Sequence, residues 1–150
     1  MEIREAHRHE LPILSELCLR SKAYWKYDRA FIEACREELT LTDTNLENDY
    51  VMVADDEGAI AGVVHLVLDG TTAELEKLFI DPKWIGKGVG RTLFHWALET
   101  ATAKGATIMN VVADPGAAPF YEKMGFKQFG TIASGSIAGR KLPHMRLVLV

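Results

Sequence analysis

What the chain has little of narrows it first. Only two cysteines, Cys18 and Cys35, occur in 150 residues; they form no CxxC pair and have no ligand cluster around them, which excludes a disulfide framework and a zinc knuckle. Both lie in apolar, helix-like contexts and are expected to be reduced packing residues. The five histidines are equally unhelpful to a metal. His7 and His9 are near one terminus and His65, His95 and His144 are scattered, so no metal is expected and His65 reads as a satisfied core histidine. No apolar run approaches the ~18 residues of a membrane span, and the opening MEIREAHRHE mixes both signs where a signal peptide needs an apolar stretch. A cytoplasmic protein with no membrane partner is the expectation. A polybasic tract is missing too: the net charge is -4, which leaves no footprint for nucleic acid and leans toward a cationic substrate. Glycine and proline are few, 12 and 5, against 48% hydrophobic residues, so the chain is not disordered and has the size of one domain, here 1–150.

What is present follows two periods. MEIREA alternates as a short strand, and HELPILSELCLRS repeats Leu11, Leu14, Leu17 and Cys18 at helical spacing, with Pro12 in the first turn. DRAFIEACREEL predicts a second helix capped by Asp28, with Phe31, Ile32, Cys35 and Leu39 on one face. From Tyr50 the pattern becomes a meander of strands, broken at Glu57-Gly58 and Asp69-Gly70. A helix from Val89 stops at Gly105, TIMNVVAD predicts a strand covered on both faces, AAPFYEKMG a short helix, and KQFGTIA and HMRLVLV two last strands. The expected fold class is α/β (α+β), a single domain with a mostly antiparallel mixed central sheet flanked by about four helices.

Residues 83–94, KWIGKGVGRTLF, place glycine at 86, 88 and 90 just before a helix. Glycine lets the backbone come close to a ligand, and the helix start offers unpaired N–H groups and about half a positive charge, so phosphate is the natural guest. The competing structural reading is tight strand-to-helix packing. A nucleotide-hydrolysing loop needs Ser or Thr after its lysine, whereas Gly88 follows Lys87. A dinucleotide fingerprint meets three obstacles although Asp114 stands near the place of a ribose-binding acid: the spacing is GxGxG, five residues (DPKWI) precede the first glycine, and 36 residues after Asp114 are too few for the rest of a doubly wound sheet.

The loop resembles that of the GNAT superfamily of acyl-CoA-dependent N-acetyltransferases, whose pattern Arg/Gln-x-x-Gly-x-Gly/Ala is met by Gly88 and Gly90. DPGAAPFYEKMGF is similar to a second element of that family, with Ala117, Phe120, Tyr121, Glu122, Lys123, Gly125 and Phe126 in register. Together the two motifs cover about residues 73–126. Ile85 stands where the family has Arg or Gln, and Asp114 where Asn is common; a carboxylate cannot donate the amide contact.

The resemblance implies acetyl-CoA as acyl donor and a small-molecule or peptide amine as acceptor. It implies a cofactor track over Leu78, Phe79 and Ile80, the loop Ile85, Gly86, Lys87, Gly88, Val89, Gly90 and Arg91, and then Asp114, Ala117, Phe120 and Tyr121. Phe79 and Ile80 would line a gap in the sheet, one amide polarising the acetyl carbonyl. Tyr121, at the start of the short helix, is the implied general acid for the departing thiolate, or else one half of a core aromatic pair. Glu74 and Glu76 stand where some members carry a base acting through water; two carboxylates at i and i+2 also suit a solvated edge. Tyr24, Trp25 and Tyr27 would wall an acceptor pocket suited to a cation or aromatic amine, or pack the corner between the first two helices. A homodimer would pair through the edge of the C-terminal strand. The alternatives from other classes are a non-catalytic acyl-CoA sensor and a nicotinamide dinucleotide binder.

Overall fold

Alternating apolar residues near the N-terminus lay β1 (Glu2–Glu5) antiparallel on β2 (Tyr50–Asp56), although nearly fifty residues separate them. The computed structural model describes residues 1–150. Between those strands come α1 (Leu11–Ala23), α2 (Arg29–Ala34), α3 (Arg36–Leu39) and α4 (Asp43–Asn48). Then follow β3 (Ala59–Asp69), β4 (Thr72–Ile80), α5 (Val89–Ala103), β5 (Ile108–Val112), α6 (Ala118–Lys123), β6 (Lys127–Ala133) and β7 (Lys141–Val148). The seven strands form one sheet in the order β1-β2-β3-β4-β5-β7-β6. Only β4 and β5 run parallel, as the crossover through α5 requires. Glu57 and Gly58 both have positive φ, +51° and +96°, the backbone of a tight hairpin between β2 and β3.

The alternation of each strand divides the core between the two faces of the sheet. Leu93, Phe94 and Ala97 of α5 pack on Val64, Leu66, Leu75, Met109 and Met145. On the other face Leu14, Leu17 and Cys18 of α1 meet Val51, Val53 and Val63, with Cys35 and Leu39 behind them. Phe94 is fully buried, and burial of a side chain of that size contributes about 1.5–3 kcal/mol. Both cysteines are free and buried.

Four expectations are corrected. The second helix is broken at Cys35, whose N–H bonds the Ile32 carbonyl in a tightened turn before α3 restarts from the Cys35 carbonyl. The break lets Cys35 and Leu39 reach the core while Phe31 stays half-buried. α4 is an additional element, held by a reciprocal cap in which Thr42 Oγ1 accepts from the Asn45 amide and Asn45 Oδ1 from the Thr42 amide. β5 is covered mainly on its α5 face, and Val112 on the opposite face is 41% exposed. Finally, the C-terminal strand β7 lies inside the sheet between β5 and β6, so the free edge at that end belongs to β6. The long connection after α6 carries β6 outward and brings β7 back beside β5.

Candidate active site

The parallel pairing of β4 with β5 stops early. It joins residues from Thr72 to Leu75 with residues from Ile108 to Val111, and β4 then continues to Ile80 with no partner on that side. A bulge starts the divergence: Leu75 faces Leu66 and Lys77 faces His65, so Glu76 is an extra residue. The Asp81 amide donates to Ala61 of the β3 side at 2.9 Å. Since amides alternate along a strand, Phe79, opposite Val63, also directs its N–H to β3, and those of Leu78 and Ile80 face the opening. This revises the expected pair, Phe79 and Ile80: Phe79 gives its side chain to the α1-side core instead. The Ile80 amide donates to Ser21 Oγ of α1 at 3.3 Å.

The glycine loop lies at the open end of β4. A single 3-10 turn, residues 82–84, is capped by Asp81, which accepts from the Lys83 amide and pairs with Arg20 at 2.9 Å. Gly86 and Gly88 then take φ of +83° and +82°, a left-handed backbone that only glycine adopts without strain. The first bond of α5 runs from the Thr92 amide to the Gly88 carbonyl. The amides of Gly88, Val89, Gly90 and Arg91 precede it and have no acceptor in the protein. Space outside Gly86 and Gly88 is open, while Gly90 sits close against Ile80 and Phe120. Ile85 is exposed, and the Lys87 ammonium lies 5.3 Å from the centre of the Trp84 ring.

Opposite the loop, the Ala117 amide bonds the Asp114 carbonyl and starts α6. Tyr121 is the fourth residue of that helix rather than its first turn. Its ring is buried, with the Phe120 and Phe126 rings 5.2 and 5.4 Å away. The hydroxyl has no hydrogen-bond partner in the protein, and burial pushes its pKa well above the usual phenol range. Burial keeps the phenol protonated, the form a proton donor needs.

Asp114 gathers side chains from distant segments. Its carboxylate accepts from Tyr27 Oη at 3.0 Å and from the Gly116 amide at 2.9 Å, and pairs with Lys22 at 3.3 Å and Arg140 at 3.5 Å. Burial alone would raise its pKa, but the Gly116 amide, Lys22 and Tyr27 outweigh it and hold the carboxyl below the usual range. Arg140 also donates to Tyr27 Oη at 2.6 Å, and its guanidinium lies over Tyr27 and Phe31, which stack at 4.1 Å. The cation-binding face of this aromatic pair is thus occupied by the protein's own Lys22 and Arg140. Trp25 lies over Gly116, where a Cβ would come within 2.9 Å of its ring, and Tyr24 meets Trp25 edge to face in the open. Ser136 Oγ donates to Glu38, so the loop between β6 and β7 reaches across to α3.

Glu74 is tied into a row across three strands: Asn110 Nδ2 donates to Glu74 Oε1 at 3.2 Å, and Arg146 Nε donates to Asn110 Oδ1 at 2.8 Å. Glu76, at the bulge, is exposed.

Residues 14–149 match the family model described as "Acetyltransferase (GNAT) domain". The chain belongs to the GNAT acetyltransferase family. Its fold is similar to that of the PaiA N-acetyltransferase of Thermoplasma acidophilum, solved with coenzyme A, at a TM-score of 0.78 and 23% identity over 98% of both chains. A GCN5-related N-acetyltransferase of Rhodopseudomonas palustris gives 0.82 at 22% identity, covering 99% of this chain and 95% of that one. The ribosomal-protein-S18-alanine N-acetyltransferase of Escherichia coli gives 0.74 at 16%, covering 99% and 93%. An uncharacterised N-acetyltransferase of Methanocaldococcus jannaschii is 36% identical over 59 residues, a match that covers 37% of this chain and 26% of that protein. This GNAT domain therefore shares its overall fold with these neighbours.

Sequence reasoning passed over Lys22, Asn110 and Arg146 on the α1 face of the GNAT sheet. Asn110 was detectable, as the one amide in an otherwise apolar strand. The others carry no local signal.

Proposed function

We propose that this GNAT domain transfers an acetyl group directly from acetyl-CoA to an amine. One observation carries the reading: four unpaired amides at the start of α5 lie at the end of a strand edge whose Leu78 and Ile80 amides face an opening in the sheet. The amides of residues 88–91 suit the pyrophosphate of CoA, and an extended pantetheine arm can add to β4 as a partial strand. Coenzyme A in the Thermoplasma neighbour supports this choice of ligand. The Leu78 N–H then faces the thioester carbonyl and stabilises its oxygen as charge develops, the Ile80 N–H being held by Ser21 Oγ.

The neutral amine attacks that carbon, the C–S bond breaks, and the nitrogen gives up a proton to water, with Glu76 or Glu74 as the base behind it. Tyr121 gives its proton to the departing thiolate and recovers one from solvent. The E. coli neighbour is named for an alanine of a ribosomal protein, but a likeness of fold does not carry an acceptor over.

Thermal unfolding with acetyl-CoA, NAD and ATP in parallel is the test. At ~100 times Kd a ligand stabilises by about 2.7 kcal/mol, here roughly 5–10 °C. A shift with acetyl-CoA alone, followed by CoA release with an amine, is the expected result. A shift with NAD, or none with acetyl-CoA, sinks the proposal; a shift without turnover on any amine makes the domain an acyl-CoA sensor.

A further inference from the structure

The row Glu74–Asn110–Arg146 crosses the sheet face that α1 leaves uncovered. β4, β5 and β7 place the three residues directly side by side, Glu74 opposite Asn110 and Asn110 opposite Arg146. Asn110 is buried and uses both ends of its amide, accepting from Arg146 and donating to Glu74. The guanidinium is further fixed by the Phe129 ring, 4.3 Å from it. Only Nε is engaged; both terminal nitrogens of the fork are free of protein acceptors. This differs from Arg4, Arg20, Arg36 and Arg140, each of which is paired with a carboxylate of the chain. A half-buried guanidinium held from behind, with its two outer nitrogens open, matches the geometry of a carboxylate.

We propose that Arg146 holds a carboxylate of the acceptor, so that the acetylated molecule is zwitterionic, with its amine and carboxylate several bonds apart as in a short peptide, because the row spans two strand spacings of roughly 5 Å each. The inference rests on the acetyltransferase reading above and deepens it. The row begins at Glu74, one residue before the β4/β5 pairing ends, so it borders the inner end of the opening in which the Leu78 amide would meet the thioester. An amine at that end and a carboxylate at the other are spaced by the Asn110 amide. Val112, beside His144 on the same face, and Phe129 are exposed apolar walls for the rest of the acceptor. The face of Tyr27 and Phe31, which could have drawn an extra cationic group, is filled by Lys22 and Arg140. Charge on the acceptor side is therefore arranged for an anion near Arg146.

The experiment pairs di- and tripeptides with their C-terminal amides as acceptors and follows CoA release. The carboxylate member of each pair is expected to have the higher kcat/KM, by about 10², mostly through KM, because two charge-assisted hydrogen bonds are lost in the amide. Arg146→Gln should bring the ratio close to one, and Arg146→Lys should restore part of it as a point charge without the fork. A retained acetyl-CoA thermal shift in each variant reports an intact fold. Equal turnover of both members by the wild type, or a preference that survives Arg146→Gln, overturns the inference and leaves acetyl transfer standing. So does an acetyl-CoA shift with turnover of polyamines but of neither series. No acetyl-CoA shift at all overturns the acetyltransferase reading, and the inference with it.

Discussion

The two ends of the cleft are built from different materials. On the cofactor side, β4, the glycine loop and the start of α5 form one uninterrupted stretch of backbone, and its polar contacts are amides. At the other end, the proposed acceptor side, the contacts are side chains brought from far apart, as Asp114 meets Lys22 across 92 residues and Tyr27 across 87. An amide site needs only conformation, which glycine at two positions supplies. A side-chain site needs each residue type as well, and so it can be retuned for another acceptor without touching the cofactor.

The largest effect expected is on chemistry alone. Tyr121→Phe should lower kcat by ~10², equivalent to about 2.7 kcal/mol, with little change in the acetyl-CoA shift, because the hydroxyl bonds nothing in the protein. An unchanged kcat would remove Tyr121 from the mechanism and leave it as core packing with Phe120 and Phe126.

Next is Asp114→Asn, which should separate the two ends. Lys22 and Arg140 lose their shared carboxylate in a site where all three side chains are mostly buried, and about 2 kcal/mol of stability should go, roughly 4–8 °C in Tm. The Asp114 pKa is depressed in the folded state, so its contribution is complete above about pH 4 and is lost as the pH falls through the folded value. Urea unfolding should thus show the variant's deficit at pH 7 shrinking on acidification. Acetyl-CoA affinity should move less than ~3-fold; a loss of ten-fold or more would place Asp114 on the cofactor side.

Gly88→Val is the counterpart. A β-branched residue at φ +82° carries about 1–2 kcal/mol of strain. Relief of that strain turns the N-terminal amides of α5 away, so acetyl-CoA Kd should rise about ten-fold while the preference among acceptors is unchanged. Isothermal titration with acetyl-CoA measures the first and competition between two amines the second.

The same contrast explains how much could be read from the sequence. The loop, the helix after it and the succession of strands along the chain were legible because glycine spacing and apolar period are local. The opening between β4 and β5 was expected, but not which amides face it, since that depends on the bulge at Glu76 and on pairing with β3. Tyr27 was legible as an aromatic in a connection, but not as a donor to Asp114, because its partner lies 87 residues away. The position of β7 inside the sheet was hidden because two adjacent strands joined by a loop read alike whichever is at the edge. α4 had its signal in Thr42 and Asn45, and apolar periodicity is too weak over six residues to reveal it.

The smallest effect expected comes from His65, which shares the α1 face with the Asp114 cluster but not its full set of partners. His65 Nε2 is 2.9 Å from Asp49 Oδ2, while Nδ1 is buried with no partner. Burial lowers its pKa below 6.5 against the pull of Asp49. An imidazole that donates through Nε2 keeps a lone pair on Nδ1; protonation would put an unpaired N–H into the core. The folded pKa is therefore below the unfolded one, and the stability linked to neutral His65 is complete above about pH 6.5 and lost as the pH falls through the folded value. His65→Gln, which can still donate to Asp49 and does not titrate, should remove up to about 1 kcal/mol of the stability difference between pH 7 and pH 5, since one pKa unit is worth 1.36 kcal/mol. Urea midpoints at the two pH values measure it. An unaltered difference would mean that Asp49 compensates the burial of the charged ring, and that the orphaned Nδ1 costs the fold nothing as the pH falls.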